Sequence, residues 1–223
     1  MTALSRLLPF ALLGAMCAMI WASFYYVAPA GGFQGDSSRI IFYHVPTAWV
    51  ATLAFLVSCV ASVAYLRGRD PDNDARAAAA AALGLLFAVL AAVTGAIFAK
   101  VEWGAYWNWD PRQTSITLLL LIYAAYFALR GAIPDPQRRA VLAAVYAILA
   151  FVTVPFLMFV VPRIYFSLHP DVVMTRGEGG GLDAAHRQVL LLSVVLFSFL
   201  FIWLYNLEVR LARMRRRLQE DEL

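Results

Sequence analysis

The chain has 223 residues, of which 62% are hydrophobic and only 14% charged, against about 45–50% apolar and about 25% charged in soluble domains. That excludes an ordinary soluble globule. The formal net charge of +4 is spread over short segments between apolar runs instead of forming one face, which argues against a nucleic-acid partner.

Six apolar runs follow one another at residues 7–27, 44–66, 77–99, 114–129, 140–161 and 188–206. Most reach the roughly 20 residues that cross a hydrocarbon core as a helix, and the fourth is marginal. Spanning backbone must satisfy its own hydrogen bonds, and no strand-like alternation of polar and apolar residues is visible, so helices are predicted over a β-barrel. The expected fold is therefore all-α: a single polytopic membrane domain over residues 1–223 with six transmembrane helices.

The first run follows Arg6 and precedes Ala28-Pro29-Ala30-Gly31, a small-residue stretch of the kind found at signal-peptide cleavage sites. Its length, and its end in Phe24-Tyr25-Tyr26, instead predict an uncleaved first helix with an interfacial aromatic group. Cys17 and Cys59 lie inside apolar runs and read as buried small residues. They supply neither a disulfide framework nor a CxxC site, and no Cys-x-x-Cys-His for covalent haem attachment occurs. Residues 67–76 are a charged turn, 77–82 are alanines suited to close helix packing in lipid, and 131–137 carry two prolines. The tail, about 207–223, is a basic juxtamembrane stretch expected to lie against anionic headgroups.

Lys and Arg divide unequally between the two sides. Arg6, Arg67, Arg69, Arg76, Arg130, Arg138, Arg139, Arg210, Arg213, Arg215, Arg216 and Arg217 fall on one side. Arg39, Lys100, Arg112, Arg163, Arg176 and Arg187 fall on the other. By the positive-inside rule both termini are expected in the cytoplasm, with the outer segments at about 28–43, 100–113 and 162–187.

The unusual chemistry lies in those outer segments. Trp103-Gly104-Ala105-Tyr106-Trp107-Asn108-Trp109-Asp110-Pro111-Arg112 holds three of the six tryptophans within seven residues. An interfacial aromatic belt explains one or two of them. Three beside Glu102, Asp110 and Arg112 suggest a platform for a large, planar, amphipathic ligand. Of the three histidines, His44 opens the second run and His169 lies in the loop before the sixth, so both share the side of the tryptophans and both are able to ligate a transition metal. His186 reads as a helix-terminus residue with Asp183 as N-cap. The glycine-containing stretch 174–181 reads as a mobile loop without the context of a phosphate-binding motif. No nucleophilic triad, HExxH motif or carboxylate pair is present.

The tryptophan-rich segment looks like the WWD signature of membrane haem-handling proteins. Together with His44-Val45-Pro46 and six helices, the whole chain resembles the cytochrome c maturation protein C family, also called haem exporter protein C. The resemblance implies a non-enzymatic haem-binding and delivery protein. Such a protein holds haem b at the periplasmic face of the cytoplasmic (inner) membrane and passes it to the haem chaperone, cytochrome c maturation protein E. It implies His44 and His169 as axial iron ligands, His186 being the alternative to His169, with Trp103, Trp107, Trp109 and Asp110 in the platform and Arg39 and Arg112 pairing with propionates. The implied partners are the maturation ABC-transporter subunits A and B and the small protein D. Competing readings are a haem synthase-type subunit of the other cytochrome c assembly route, which generally has more helices, and a cytochrome b-like redox subunit, which needs histidines at membrane depth. An autonomous transporter would need an intramembrane charge pathway, and none is evident.

Overall fold

The structure, a computed structural model, describes residues 3–29, 35–169 and 182–221. Arg176 and the glycine-containing stretch 174–181 lie outside the described residues. The described chain is helical: α1 (Ala3–Trp21), α2 (Ile41–Gly68), α3 (Pro71–Trp103), α4 (Pro111–Ala132), α5 (Pro136–Pro155), the short α6 (Val161–Ile164) and α7 (Ala184–Asp221). Among the described residues six stretches are long and apolar enough to cross a membrane, α5 and α6 sharing one of them. The chain is an all-α, multi-pass membrane protein.

Most of the helices run well past the apolar runs, and their start signals explain why. The dipeptides Asp70-Pro71, Asp110-Pro111 and Asp135-Pro136 each place Asp at the N-cap and Pro at the first helical position. The three carboxylates accept backbone N–H groups from Asp72 at 2.9 Å, Arg112 at 2.9 Å and Arg138 at 2.6 Å. Such caps satisfy donors that the helix leaves open, and Pro costs nothing where no donor is used. The marginal fourth run thereby becomes a helix of 22 residues. Between α2 and α3, Arg69 adopts a left-handed conformation (φ 54°) and donates to the Tyr65 carbonyl at 2.7 Å, closing a two-residue turn.

The fifth run departs from the expected continuous helix. After Pro155 the chain widens into a π-helical turn at Phe156–Val160 before resuming as α6. A second π-helical turn, Ala22–Tyr26, ends the first span. Both lie toward the end of the bundle that carries the tryptophan-rich segment, and proline together with π turns is a recognised cause of helix bending.

The core is built on α2, which packs along α3, α5 and α7. Its centre is Phe55, stacked on Tyr123 of α4 with ring centroids 3.6 Å apart. Gly84 of α3 makes room for that ring: a Cβ there would stand 2.5 Å from two Phe55 carbons. Buried alanines at 77, 80, 81, 88, 91 and 99 on α3 and at 143, 144, 147 and 150 on α5 let backbones approach closely, as packing in lipid requires. Cys17 is exposed on α1 and Cys59 is half-buried. The expectation that both are buried is therefore corrected: the outward face of a first helix meets lipid, which accepts a thiol as readily as a methyl group.

The end of the bundle remote from the tryptophans carries the charge pairs. Arg130 of α4 donates to both carboxylate oxygens of Asp74 at 2.6 and 2.9 Å. Asp72 receives Arg213 at 2.9 Å and Arg216 at 2.5 Å from α7. These pairs tie the α2–α3 turn to α4 and to the basic tail.

Candidate functional site

At the opposite end, α2, α3, the 104–110 loop, α4, the α5–α6 bend and His169 enclose a cavity of about 350 Å³, within the usual range for ligand pockets. Its walls are mainly apolar, with Trp49, Phe98, Trp103, Trp107 and Met158 among them, and its polar side chains include His44, Arg112, Gln113, Arg163 and His169 beside the hydroxyls of Thr52, Ser115 and Thr117.

His44 enters from α2. The helix starts at Ile41, behind a 3₁₀ turn at Asp36–Ile40, so His44 is a helical residue and not the first residue after a loop. Its ring lies against Gly95 of α3, where a Cβ would stand 3.0 Å from His44 Cε1. Nδ1 is 2.9 Å from the hydroxyl of Thr94, and that hydroxyl donates its own hydrogen to the Leu90 carbonyl at 2.7 Å. A hydroxyl has one hydrogen to give; with that hydrogen on the Leu90 carbonyl, Nδ1 is the donor to Thr94 and Nε2 keeps its lone pair. That tautomer leaves Nε2 able to ligate a metal while Nδ1 is held from outside, as in many ligating histidines.

His169 reaches the cavity from the irregular chain after α6. Its ring meets the edges of Phe98 and Trp103 at centroid distances of 5.7 and 6.0 Å, and those two rings meet each other at 5.7 Å. The His44 and His169 ring centres are 5.9 Å apart. Two nitrogen–metal bonds of about 2 Å each, plus the radius of each five-membered ring, add to roughly 6 Å. The two ring centres are therefore about as far apart as those of two imidazoles that share one metal, and flat aromatic side chains stand around them.

The tryptophan-rich segment divides. Gly104 ends α3 with a left-handed turn (φ 78°), its N–H bonded to the Lys100 carbonyl at 3.2 Å. Gln113 then braces the loop, accepting from the Asn108 backbone N–H at 2.9 Å and donating to the Tyr106 carbonyl at 3.0 Å. Trp103 and Trp107 line the cavity. Trp109 does not: it is 77% exposed, packs edge-on against Trp107 at 5.4 Å, and has φ 56°, a conformation that costs a bulky residue of order 1–3 kcal/mol. Asp110 lies outside the cavity wall and is only 4% exposed.

The two arginines also part. Arg112 lines the cavity. Arg39 does not: its guanidinium donates to the carbonyls of Ser23 and Val27, the latter at 2.9 Å, and to Asp36 at 3.1 Å. It closes the C-terminal end of the first span, where open carbonyls attract a cation. His186 is buried away from the cavity. Asp183 caps α7 by accepting the His186 backbone N–H at 2.8 Å, the His186 ring lies over Phe42 at 5.9 Å, and its Nδ1 is 3.0 Å from the same carboxylate. The His186 backbone N–H, and then its side chain, hold the Asp183 carboxyl below the ordinary carboxylate range.

Thr94, Gly95, Phe98, Arg163 and Ser167 were not singled out from the sequence. Thr94-Gly95 is the one place where a hydroxyl and a glycine interrupt the apolar run 77–99 side by side, and that interruption was the available signal. Phe98 carries no signal apart from the fold.

The fold and this cavity define a six-span helical membrane protein with a paired-imidazole, aromatic-walled site at one end. A family model described as Heme exporter protein C matches residues 1–223. Heme exporter protein C of Bradyrhizobium diazoefficiens is 35% identical over 88% of this chain and 74% of its own. That of Paracoccus denitrificans is 32% identical over 95% and 88%, and that of Escherichia coli 32% identical over 87% and 76%. The chain belongs to the Heme exporter protein C family.

Proposed function

We propose that the chain binds haem b as cargo between His44 and His169 at the outer face of the cytoplasmic membrane, and delivers it to the haem chaperone, cytochrome c maturation protein E. Family membership supplies the general role, haem handling during cytochrome c maturation. The observation that carries the site is the pair of imidazoles 5.9 Å apart in one aromatic-walled cavity.

Within that reading His44 and His169 hold the iron, and bound haem supplies the transferable group. Trp103 and Trp107 give flat apolar surface to the macrocycle. Arg112 and Arg163 lie on the cavity wall as partners for propionates, which Arg forks pair with well. The twelve-to-six division of basic residues supports an orientation with the Asp72 and Asp74 end in the cytoplasm and the cavity outside. The maturation ABC-transporter subunits A and B and the small protein D are the partners on this reading. The chain is assigned no catalytic residue.

The test is the absorption spectrum of the purified full chain, with and without the chaperone. His44→Ala and His169→Ala should each lose the low-spin spectrum, His186→Ala should keep it, and Trp107→Ala should retain haem while passing less to the chaperone. An unaltered low-spin spectrum in both His44→Ala and His169→Ala defeats the site assignment. Reporter fusions should be cytoplasmic after Arg130 and Arg217 and periplasmic after Asn108. A periplasmic signal after Arg217 defeats the orientation.

A further inference from the structure

Asp110 ends the tryptophan-rich signature, yet its side chain is turned away from the cavity. It is buried while its neighbour Trp109 stands in the open. One carboxylate collects the donors of two distant segments. Oδ1 accepts the Arg112 backbone N–H at 2.9 Å and so caps α4. Oδ2 accepts the Leu168 backbone N–H at 2.7 Å, and the Ser167 hydroxyl lies 2.9 Å from Oδ2 and 3.1 Å from Oδ1. Ser167 Oγ in turn accepts the His169 backbone N–H at 3.1 Å. A chain of hydrogen bonds therefore runs from the start of α4 to the backbone of His169.

The chemistry suits an anchor better than a ligand contact. Haem propionates are anions, and a buried carboxylate repels them. Ionised Asp accepts several hydrogen bonds and donates none, and a helix N-terminus favours its charge. Backbone N–H groups given to a carboxylate are among the stronger hydrogen bonds. His169 needs such an anchor, because α6 ends at Ile164 and the described residues 165–169 are not helical. His44, by contrast, is held by its helix and by Thr94.

We infer that Asp110 and Ser167 are positioning residues that set the His169 imidazole opposite His44, and that Asp110 does not touch haem. This rests on the proposed ligation by His44 and His169. It explains why an acidic residue closes a tryptophan-rich, haem-facing segment: one residue starts α4 and, 57–58 positions away in sequence, fixes the loop of the second imidazole.

The experiment uses the full chain, purified with bound haem. Ser167→Ala removes the hydroxyl without touching the α4 cap. Asp110→Asn keeps an oxygen able to cap the helix and removes the negative charge and one acceptor. Both should retain haem, with at least a third of it shifted from low-spin six-coordinate to high-spin, and free imidazole added to the solution should restore the low-spin spectrum. Ser167→Thr, which keeps the hydroxyl, should match the parent. A loss of helix content or of packing is not repaired by imidazole, so that rescue separates positioning from a general structural role. Loss of haem without imidazole rescue in Ser167→Ala and Asp110→Asn overturns the inference. If both variants keep the parent spectrum while His169→Ala loses it, the clasp is refuted and the ligand assignment stands. If His169→Ala itself keeps the parent spectrum, the ligand assignment fails and the clasp fails with it.

Discussion

Gly95→Ala tests how closely α3 fits the His44 ring. The added Cβ would stand 3.0 Å from Cε1, 3.7 Å from Nδ1 and 3.9 Å from Nε2. Ordinary contact begins near 3.4 Å, so ring and helix must separate by about 0.4 Å, and moving the ring disturbs its 2.9 Å hydrogen bond with Thr94. Overpacking of this kind costs about 1–3 kcal/mol, while Ala in place of Gly inside a helix returns about 1 kcal/mol. Global stability should therefore change by no more than about 2 kcal/mol. Haem binding should suffer as well, because a shift of about 0.4 Å uses most of the roughly 0.5 Å within which a ligand set keeps its productive geometry. A loss of about tenfold in affinity, equivalent to about 1.4 kcal/mol, is expected. The assay is haem content and the low-spin absorption band per mole of purified protein, beside a thermal melt. Gly14→Ala is the control, since nothing lies within 4 Å of a Cβ there. A Gly95→Ala protein with parental haem content, spectrum and melt would refute the claim that Gly95 sets the ring position.

Gly84→Ala should destabilise the fold without touching the cavity: its Cβ would meet Phe55 at 2.5 Å, and Phe55 is held by Tyr123 at 3.6 Å. A net loss of about 1–3 kcal/mol is expected, read as a lower melting midpoint in detergent. Asp74→Ala leaves Arg130 without its bidentate partner where both side chains are more than four-fifths covered, which should cost of order 3 kcal/mol. The double variant Asp74→Ala with Arg130→Ala should cost less than the sum of the two, as a double-mutant cycle would show. Asp183 has its folded-state pKa depressed by the His186 backbone N–H and side chain, so its stabilisation is present above an unfolded value of about 3.9 and is lost as pH falls through the folded value. Asp183 is 60% exposed, so the effect is small. Asp183→Asn should lose that small contribution at neutral pH and converge with the parent below about pH 4, which flattens the acid limb of the stability profile.

Much of this molecule was legible from residues in order. Apolar run length sets the number of spans because a hydrocarbon core demands about 20 helical residues per crossing, and the six runs became six spans. The tryptophan-rich segment was visible because three tryptophans among charged residues exceed what an interface needs. Asp183, three positions before His186, marks a helix terminus in the sequence, and the cap is there. Local spacing sufficed in each case, since the interactions are local. The helix lengths were less legible: Asp-Pro pairs start α3, α4 and α5 within polar sequence, which hydropathy alone passes over.

The assembly of the site was not written locally. Which tryptophans face the cavity depends on the turn at Gly104 and the left-handed Trp109, and these divide Trp103 and Trp107 from Trp109 and Asp110. Arg39 and Arg112 are alike as residues, yet one meets the open carbonyls of the first span and the other the cavity. His44 meets Thr94 fifty positions away, and Asp110 meets Ser167 fifty-seven away. Hydrophobic periodicity and residue type are properties of a segment and its neighbours in sequence, so they report spans and caps. A hydrogen bond between elements depends on how helices pack in depth and rotation, and that is settled by small-residue contacts such as Gly84 against Phe55 and Gly95 against His44, which exist only once the bundle has formed.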